Sequence, residues 1–125
     1  MEKINTNKAP AAIGPYAQAW SFEKLVFTSG QIPADPATGA MESGDVTAQA
    51  HRALQNLLAV LEAGGSDALH VLKTTCFLAD MADFAAFNAV YAQYLPRCPA
   101  RSCVAVKALP KGALCEIEAI AAKVE

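Results

Sequence analysis

The architecture predicted for this chain rests on two segments near its end, Pro99-Ala100-Arg101-Ser102-Cys103-Val104-Ala105-Val106 and Leu114-Cys115-Glu116-Ile117-Glu118-Ala119-Ile120-Ala121. Both are typical of β-strands, and the intervening Leu109-Pro110-Lys111-Gly112 is typical of a turn. Alternate side chains of a strand share a face. A hairpin that buries the apolar faces of both strands would gather four polar residues on its opposite face: Arg101, Cys103, Glu116 and Glu118.

The residues of this predicted cluster carry useful chemistry. A guanidinium such as that of Arg101 suits binding a carboxylate through two hydrogen bonds. Glu116 could hold or activate a water molecule as a general base. Tyr16 offers a phenol, and Gly30 offers a backbone N–H that a ligand can approach closely. A purely structural alternative stays open, in which Arg101 pairs with one of the two glutamates across the sheet.

Composition indicates a soluble protein that associates with copies of itself. The 125 residues suit a single domain, 1–125, and 54% are hydrophobic whereas only 18% are charged. We therefore expect an oligomer, the alternative being an alanine-rich core. The net charge of −2 and the lack of a Lys/Arg run argue against nucleic acid as a partner. No signal peptide or apolar membrane span is recognised, so we expect a cytoplasmic protein.

The four cysteines, at positions 76, 98, 103 and 115, show no metal-binding spacing. Zinc ligands usually come in tight pairs, and here there is neither a Cys-x-x-Cys nor a nearby histidine partner. We predict no metal site and no disulfide framework, with Cys76, Cys103 and Cys115 acting as small apolar residues in strands.

The rest of the chain predicts an α+β fold with two helices on one face of a mixed sheet. Residues 16–29 form a hairpin, and 71–78 form a strand. One helix follows a cap at Ser43 or Asp45 and ends at Gly64-Gly65, and a second runs from a cap near Asp80 or Asp83 to Leu95. His51 lies off the apolar stripe of the first helix and is expected to face solvent, and it could act as a general base except that no nearby residue is predicted to orient it. Asn88 lies on the apolar side of the second helix, where it would tie the helix to a neighbouring loop or contact a ligand.

Five motifs extend the interpretation, because they occur in a fixed order along the whole chain. They are Ala11–Tyr16 (AAIGPY), Thr28–Pro33 (TSGQIP), Phe87–Tyr91 (FNAVY), Pro99–Val104 (PARSCV) and Glu116–Ala121 (EIEAIA). Together they closely resemble the RidA (YjgF-type) family of reactive-intermediate deaminases.

This resemblance implies a chorismate-mutase-like α+β sandwich that assembles as a homotrimer with a barrel-like core and a site in each cleft between subunits. The implied activity is hydrolysis of enamines and imines, such as 2-aminoacrylate and 2-iminobutanoate, that are released by pyridoxal-phosphate enzymes. The products are a 2-oxo acid and ammonia, and the reaction needs neither cofactor nor metal. Some relatives act instead as holdase chaperones, ribonucleases or binding proteins, and the presence of Arg101 favours the deaminase.

The resemblance also implies a role for each site residue. Arg101 matches the arginine that holds the substrate carboxylate, and Glu116 matches the glutamate that positions the attacking water. The backbone carbonyl of Cys103 would lie beside the imine nitrogen, Gly30 would line the site with its amide, and Tyr16 would close it from the neighbouring subunit. Glu118, on the same strand face as Glu116, would have a structural or interface role. Cys98 and Cys115 depart from the family pattern, and Cys98 could tune the cleft.

Overall fold

A computed structural model describes all residues from 1 to 125 and contains six strands and two helices. The strands are β1 (Glu2–Ile4), β2 (Ala19–Phe22), β3 (Leu25–Thr28), β4 (Val71–Leu78), β5 (Ala100–Ala105) and β6 (Cys115–Ala122). The helices are α1 (Val46–Ala63) and α2 (Phe84–Tyr94), and short 3₁₀ turns cover Ala68–His70, Met81–Asp83 and Pro110–Gly112. The strands form one sheet in the order β1-β2-β3-β6-β4-β5.

The first helix follows the sequence pattern closely. The Asp45 carboxylate accepts a hydrogen bond from the Ala48 amide at 3.1 Å and so caps the helix. Its apolar stripe, including Leu54, Leu57 and Leu61, is fully buried against the sheet. At the other end Gly65 adopts φ +86°, a left-handed conformation that glycine accepts without strain.

The predicted hairpin between the last two strands is wrong, because β4 lies between β5 and β6. β5 pairs with β4 in parallel, and β6 pairs with β4 in antiparallel. Parallel neighbours need a crossover connection, which α2 supplies here. The segment between β5 and β6 passes over the end of β4, where the Val106 amide donates to the Leu78 carbonyl and the Ala79 amide donates to the Leu114 carbonyl.

The two faces of the sheet differ sharply. Both helices pack on one face, here named the helix face, and enclose the hydrophobic core. The opposite face, here named the open face, leaves several large apolar side chains between 41% and 54% exposed: Trp20, Phe22, Phe27 and Val104. The predicted α+β sandwich with two helices on one side is therefore confirmed. Neither helix is long and apolar enough to cross a membrane.

Candidate functional site

Arg101 lies on the helix face of β5, beneath α2. Its Nη1 donates a hydrogen bond to the Asn88 side-chain carbonyl at 2.8 Å. Its guanidinium carbon lies 4.8 Å from the centre of the Tyr91 ring and 5.5 Å from that of Phe84, both within cation–π range. The guanidinium has no carboxylate within ion-pair distance in the chain. The structural alternative, in which Arg101 pairs with Glu116 or Glu118, is therefore wrong within one chain.

The strand register explains how this arginine meets α2. Thr74 of β4 is the direct neighbour of Arg101 on β5, so both side chains point toward the helix. The Thr74 hydroxyl and the Tyr91 phenol are 2.7 Å apart in a buried hydrogen bond. Burial raises the pKa of Tyr91, so its phenol stays protonated at neutral pH. Asn88 therefore ties α2 to a strand rather than to the loop that the sequence predicts.

A groove of about 460 Å³ opens beside Arg101. Its walls are mainly apolar, formed by Ala92, Leu95, Pro96 and Pro99, and Arg101 is the one charged side chain that lines it. Cys98 lies at this groove, is exposed and has a φ of +54°. A groove with a single cation suits an anionic ligand of small size.

Glu116 lies on the open face of β6, half-buried and directly over Gly30. A β-carbon on Gly30 would overlap the Glu116 carboxylate, with the carboxylate carbon only 2.8 Å away. The main chains stay in place because Gln31 and Ile117 exchange two hydrogen bonds, of 2.7 and 3.1 Å. Burial is the main cause that raises the pKa of Glu116, and the nearby Glu118 carboxylate raises it further.

Tyr16 lies in the loop before β2 and is 52% exposed. Its hydroxyl accepts a hydrogen bond from the Ile13 amide at 3.4 Å. Tyr16 and Gly30 line a common cavity of about 430 Å³, and Arg101 does not line it. The buried Gln18 side chain fixes the preceding loop, donating to the carbonyls of Thr6 and Pro10 at 3.0 and 2.8 Å.

Cys103 is on the same face of β5 as Arg101 and is half-buried beside Cys76. Burial raises the pKa of the Cys103 thiol, and it raises those of Cys76 and Cys115 to about 12. Because the thiolate is the nucleophilic form, none of these three cysteines is suited to attack a substrate at neutral pH. His51 hydrogen bonds to Tyr94 at 2.8 Å between the two helices, and it lines neither the groove beside Arg101 nor the cavity beside Tyr16.

The predicted cluster of four polar residues on one face is therefore wrong. Arg101 and Cys103 lie on the helix face together with Asn88, and we name Arg101 and Asn88 the arginine half-site. Glu116 and Glu118 lie on the open face, and we name Glu116, Gly30 and Tyr16 the glutamate half-site. Alternation along one strand does not show which of its side chains share a sheet face with those of another strand. Here the pairing of β4 with both β5 and β6 decides this. Tyr91 and Thr74 were missed as site residues, although Tyr91 follows Asn88 by three positions on α2.

Known proteins resemble the chain over nearly its whole length. The family model described as Endoribonuclease L-PSP matches residues 6–123. A RutC family protein of Sinorhizobium fredii is 50% identical, with 96% of each chain covered. The 2-iminobutanoate/2-iminopropanoate deaminase of Salmonella typhimurium is 49% identical, again with 96% of each chain covered.

Solved structures share the fold at similar identity. The structure of TdcF from E. coli with bound serine superposes with a TM-score of 0.94 at 44% identity, covering 99% of this chain and 100% of that one. Both the family model and the relatives span well over two thirds of the chain. The chain therefore belongs to the Endoribonuclease L-PSP family, which includes the YjgF and RidA proteins.

Proposed function

We propose that this protein hydrolyses short 2-imino acids, including 2-iminobutanoate and 2-iminopropanoate, to 2-oxo acids and ammonia. One observation carries the proposal: Arg101 is ordered by aromatic rings and an amide, yet has no carboxylate partner in its own chain. An arginine fixed in this way is suited to take up the carboxylate of a ligand. The serine held by E. coli TdcF carries the same carboxylate and a nitrogen on the neighbouring carbon.

The glutamate half-site supplies the second requirement of the reaction, an activated water. Because its pKa is raised, the Glu116 carboxylate is a stronger base than an ordinary glutamate. It takes a proton from water while the oxygen forms a bond to the imine carbon and the C=N π electrons move to nitrogen, and it returns that proton to the nitrogen to give a tetrahedral carbinolamine. The carbinolamine hydroxyl then gives its proton to Glu116, which passes it to the nitrogen, and ammonia leaves as the C–N bond breaks and the C=O bond forms. The Cys103 carbonyl would accept a hydrogen bond from the imine N–H.

The two half-sites can meet only if two copies of the chain contribute to one site. Arg101 and Glu116 lie on opposite faces of one sheet, so a small substrate cannot touch both within a chain. The apolar side chains of the open face support association, because water-exposed apolar patches are commonly covered by partners. We propose a closed homotrimer in which the open faces form a barrel-like core and Tyr16 of one copy closes the site beside Arg101 of the next.

A coupled assay tests the activity directly. A threonine dehydratase supplies 2-iminobutanoate in the presence of semicarbazide, and the protein should lower the yield of trapped imine while 2-oxobutanoate accumulates. Arg101→Ala should abolish this effect with the oligomer intact in sedimentation. Arg97→Ala, which removes an exposed arginine outside the groove, is the matched control. Full activity of the Arg101 variant would contradict the proposal.

Binding without catalysis is the second candidate, since the open face could also hold unfolded apolar segments if it were not covered. A holdase of that kind would suppress aggregation of a denatured client equally well with Arg101→Ala. Endoribonuclease activity, which the family description names, has little support in a chain of net charge −2.

A further inference from the structure

Thr74 and Tyr91 lie behind the arginine half-site and have no role in the proposed chemical steps. Tyr91 is 7% exposed and Thr74 is fully buried, and their hydroxyls share one hydrogen bond of 2.7 Å. The face of the Tyr91 ring lies under the Arg101 guanidinium at 4.8 Å. A tyrosine ring rotates about two side-chain bonds, and a hydrogen bond at its hydroxyl fixes the ring at its far end.

We propose that Thr74 and Tyr91 act as a positioning pair that orients Arg101 for the substrate carboxylate. This inference rests on the proposed function and deepens it. The guanidinium carbon lies over the Tyr91 ring at 4.8 Å and Nη1 donates to the Asn88 carbonyl, so two groups hold the guanidinium from different directions. The remaining N–H groups are then free to form two parallel bonds to a carboxylate. Thr74 is fully buried and does not line the groove, whereas Tyr91 lines the groove and would act on the carboxylate through Arg101.

The register of the sheet brings Thr74, Tyr91 and Arg101 together. Thr74 and Arg101 are paired residues of the parallel strands β4 and β5, and Tyr91 comes from the helix that connects those strands. A shift of either strand by one residue would turn Thr74 or Arg101 to the open face. One strand–helix–strand unit therefore carries the arginine, its aromatic support and the hydroxyl that fixes the support.

The test compares variants that keep or remove each contact. Tyr91→Leu removes the ring, and we expect its KM for 2-iminobutanoate to rise about tenfold, as for a lost cation–π contact in a desolvated site. Tyr91→Phe keeps the ring but loses the hydroxyl, and we expect KM to rise about threefold. Thr74→Val removes the same hydrogen bond from the other side and should match Tyr91→Phe. The double variant Tyr91→Phe/Thr74→Val should be no worse than either single one.

Two readouts separate positioning from a general loss of structure. In an Arg101→Ala background, Tyr91→Leu should cause no further loss in binding of 2-oxobutanoate, the stable product, as measured by calorimetry. Hydrolysis of an imine whose carboxylate is esterified should not respond to Tyr91→Phe, since no carboxylate is there to be oriented. If the Tyr91 and Arg101 effects add, or if the ester responds like the acid, the inference is wrong. If wild-type protein binds the oxo acid but hydrolyses no imine, the proposed activity fails while the positioning pair can still be judged by binding.

Discussion

Arg101 and Glu116 lie on opposite faces of the sheet, although both belong to strands that flank β4. Arg101 points to α2 with Thr74, whereas Glu116 points to the open face with Phe77. The electrostatic surroundings are consistent with this separation. Burial and the Glu118 carboxylate raise the pKa of Glu116, and Arg101 is not among the causes of the shift. A single small ligand therefore cannot contact both side chains within one chain.

Gly30→Ala should inactivate the protein by displacing Glu116. The new methyl group would overlap the carboxylate, so the side chain must move away from the attacking water. A displacement of about 1 Å in a catalytic group can lower the rate about a hundredfold, and we expect a loss of that order in the coupled assay. Glu116→Asp in the same background shortens the side chain and should recover the stability lost by Gly30→Ala in urea unfolding. A Gly30→Ala protein with wild-type activity would show that the contact with Glu116 is unimportant.

Glu118→Gln should move the acid limb of the kcat/KM profile to lower pH. The Glu118 carboxylate raises the pKa of Glu116, so its removal lets Glu116 ionise at lower pH. Burial remains the larger cause, and the limb should therefore stay above the ordinary glutamate value of 4.5. The profile is measured after subtraction of spontaneous imine hydrolysis, with Glu62→Gln on the exposed side of α1 as control. A limb that stays in place or moves to higher pH would contradict the assignment of Glu116 as the base.

Glu116→Gln should abolish activity and yet stabilise the folded chain. A raised pKa means that ionisation of Glu116 opposes folding, so this penalty is absent below pH 4.5 and fully present above the raised pKa. At about pH 8 we expect a gain of about 0.5 kcal/mol in the free energy of unfolding, a small value because solvent screens a half-exposed group. The gain should vanish at about pH 4. Urea unfolding at both pH values measures it, and a less stable variant at neutral pH would overturn this expectation.

Asn88→Asp should impair substrate binding more than Asn88→Ala. The aspartate would place a carboxylate where the amide oxygen now lies, 2.8 Å from Nη1, and the resulting ion pair would compete with the substrate for Arg101. We expect KM to rise more than about tenfold for the aspartate and about threefold for the alanine. Steady-state kinetics separate KM from kcat. Equal effects of the two substitutions would mean that the charge of Arg101 is not used in binding.

The sequence alone predicts the elements better than their relations. The apolar spacing of α1, the Asp45 cap and the alternation within β6 are local properties, and each is confirmed. The rule that apolar side chains point into the core predicts that Arg101 lies on the open face. That rule failed at β5, where Val104 lies on the open face and is 46% exposed. An edge strand with apolar residues on its outer face is expected where another molecule covers it.

The sequence does not predict that Arg101 and Glu116 lie on opposite faces of the sheet, because that relation depends on strand order. The motif around Glu116 and that around Arg101 each predict a chemical role, but strand order depends on long-range pairing that neither motif contains. Asn88 and Tyr91 share a helix face three residues apart, which indicates a common target. Their common target is Arg101, and identifying it requires knowing that β5 pairs in parallel with β4.

Subunit complementation tests whether Arg101 of one copy and Glu116 of the next copy form one site. Arg101→Ala and Glu116→Ala chains are each expected to be inactive as homo-oligomers. In randomly mixed closed rings, about a quarter of the interfaces combine an intact Arg101 from one copy with an intact Glu116 from the next. Co-refolded mixtures should therefore regain about a quarter of wild-type activity, whereas mixtures prepared without subunit exchange should regain none. No recovery in verified mixed oligomers would show that Arg101 and Glu116 do not combine across an interface between subunits.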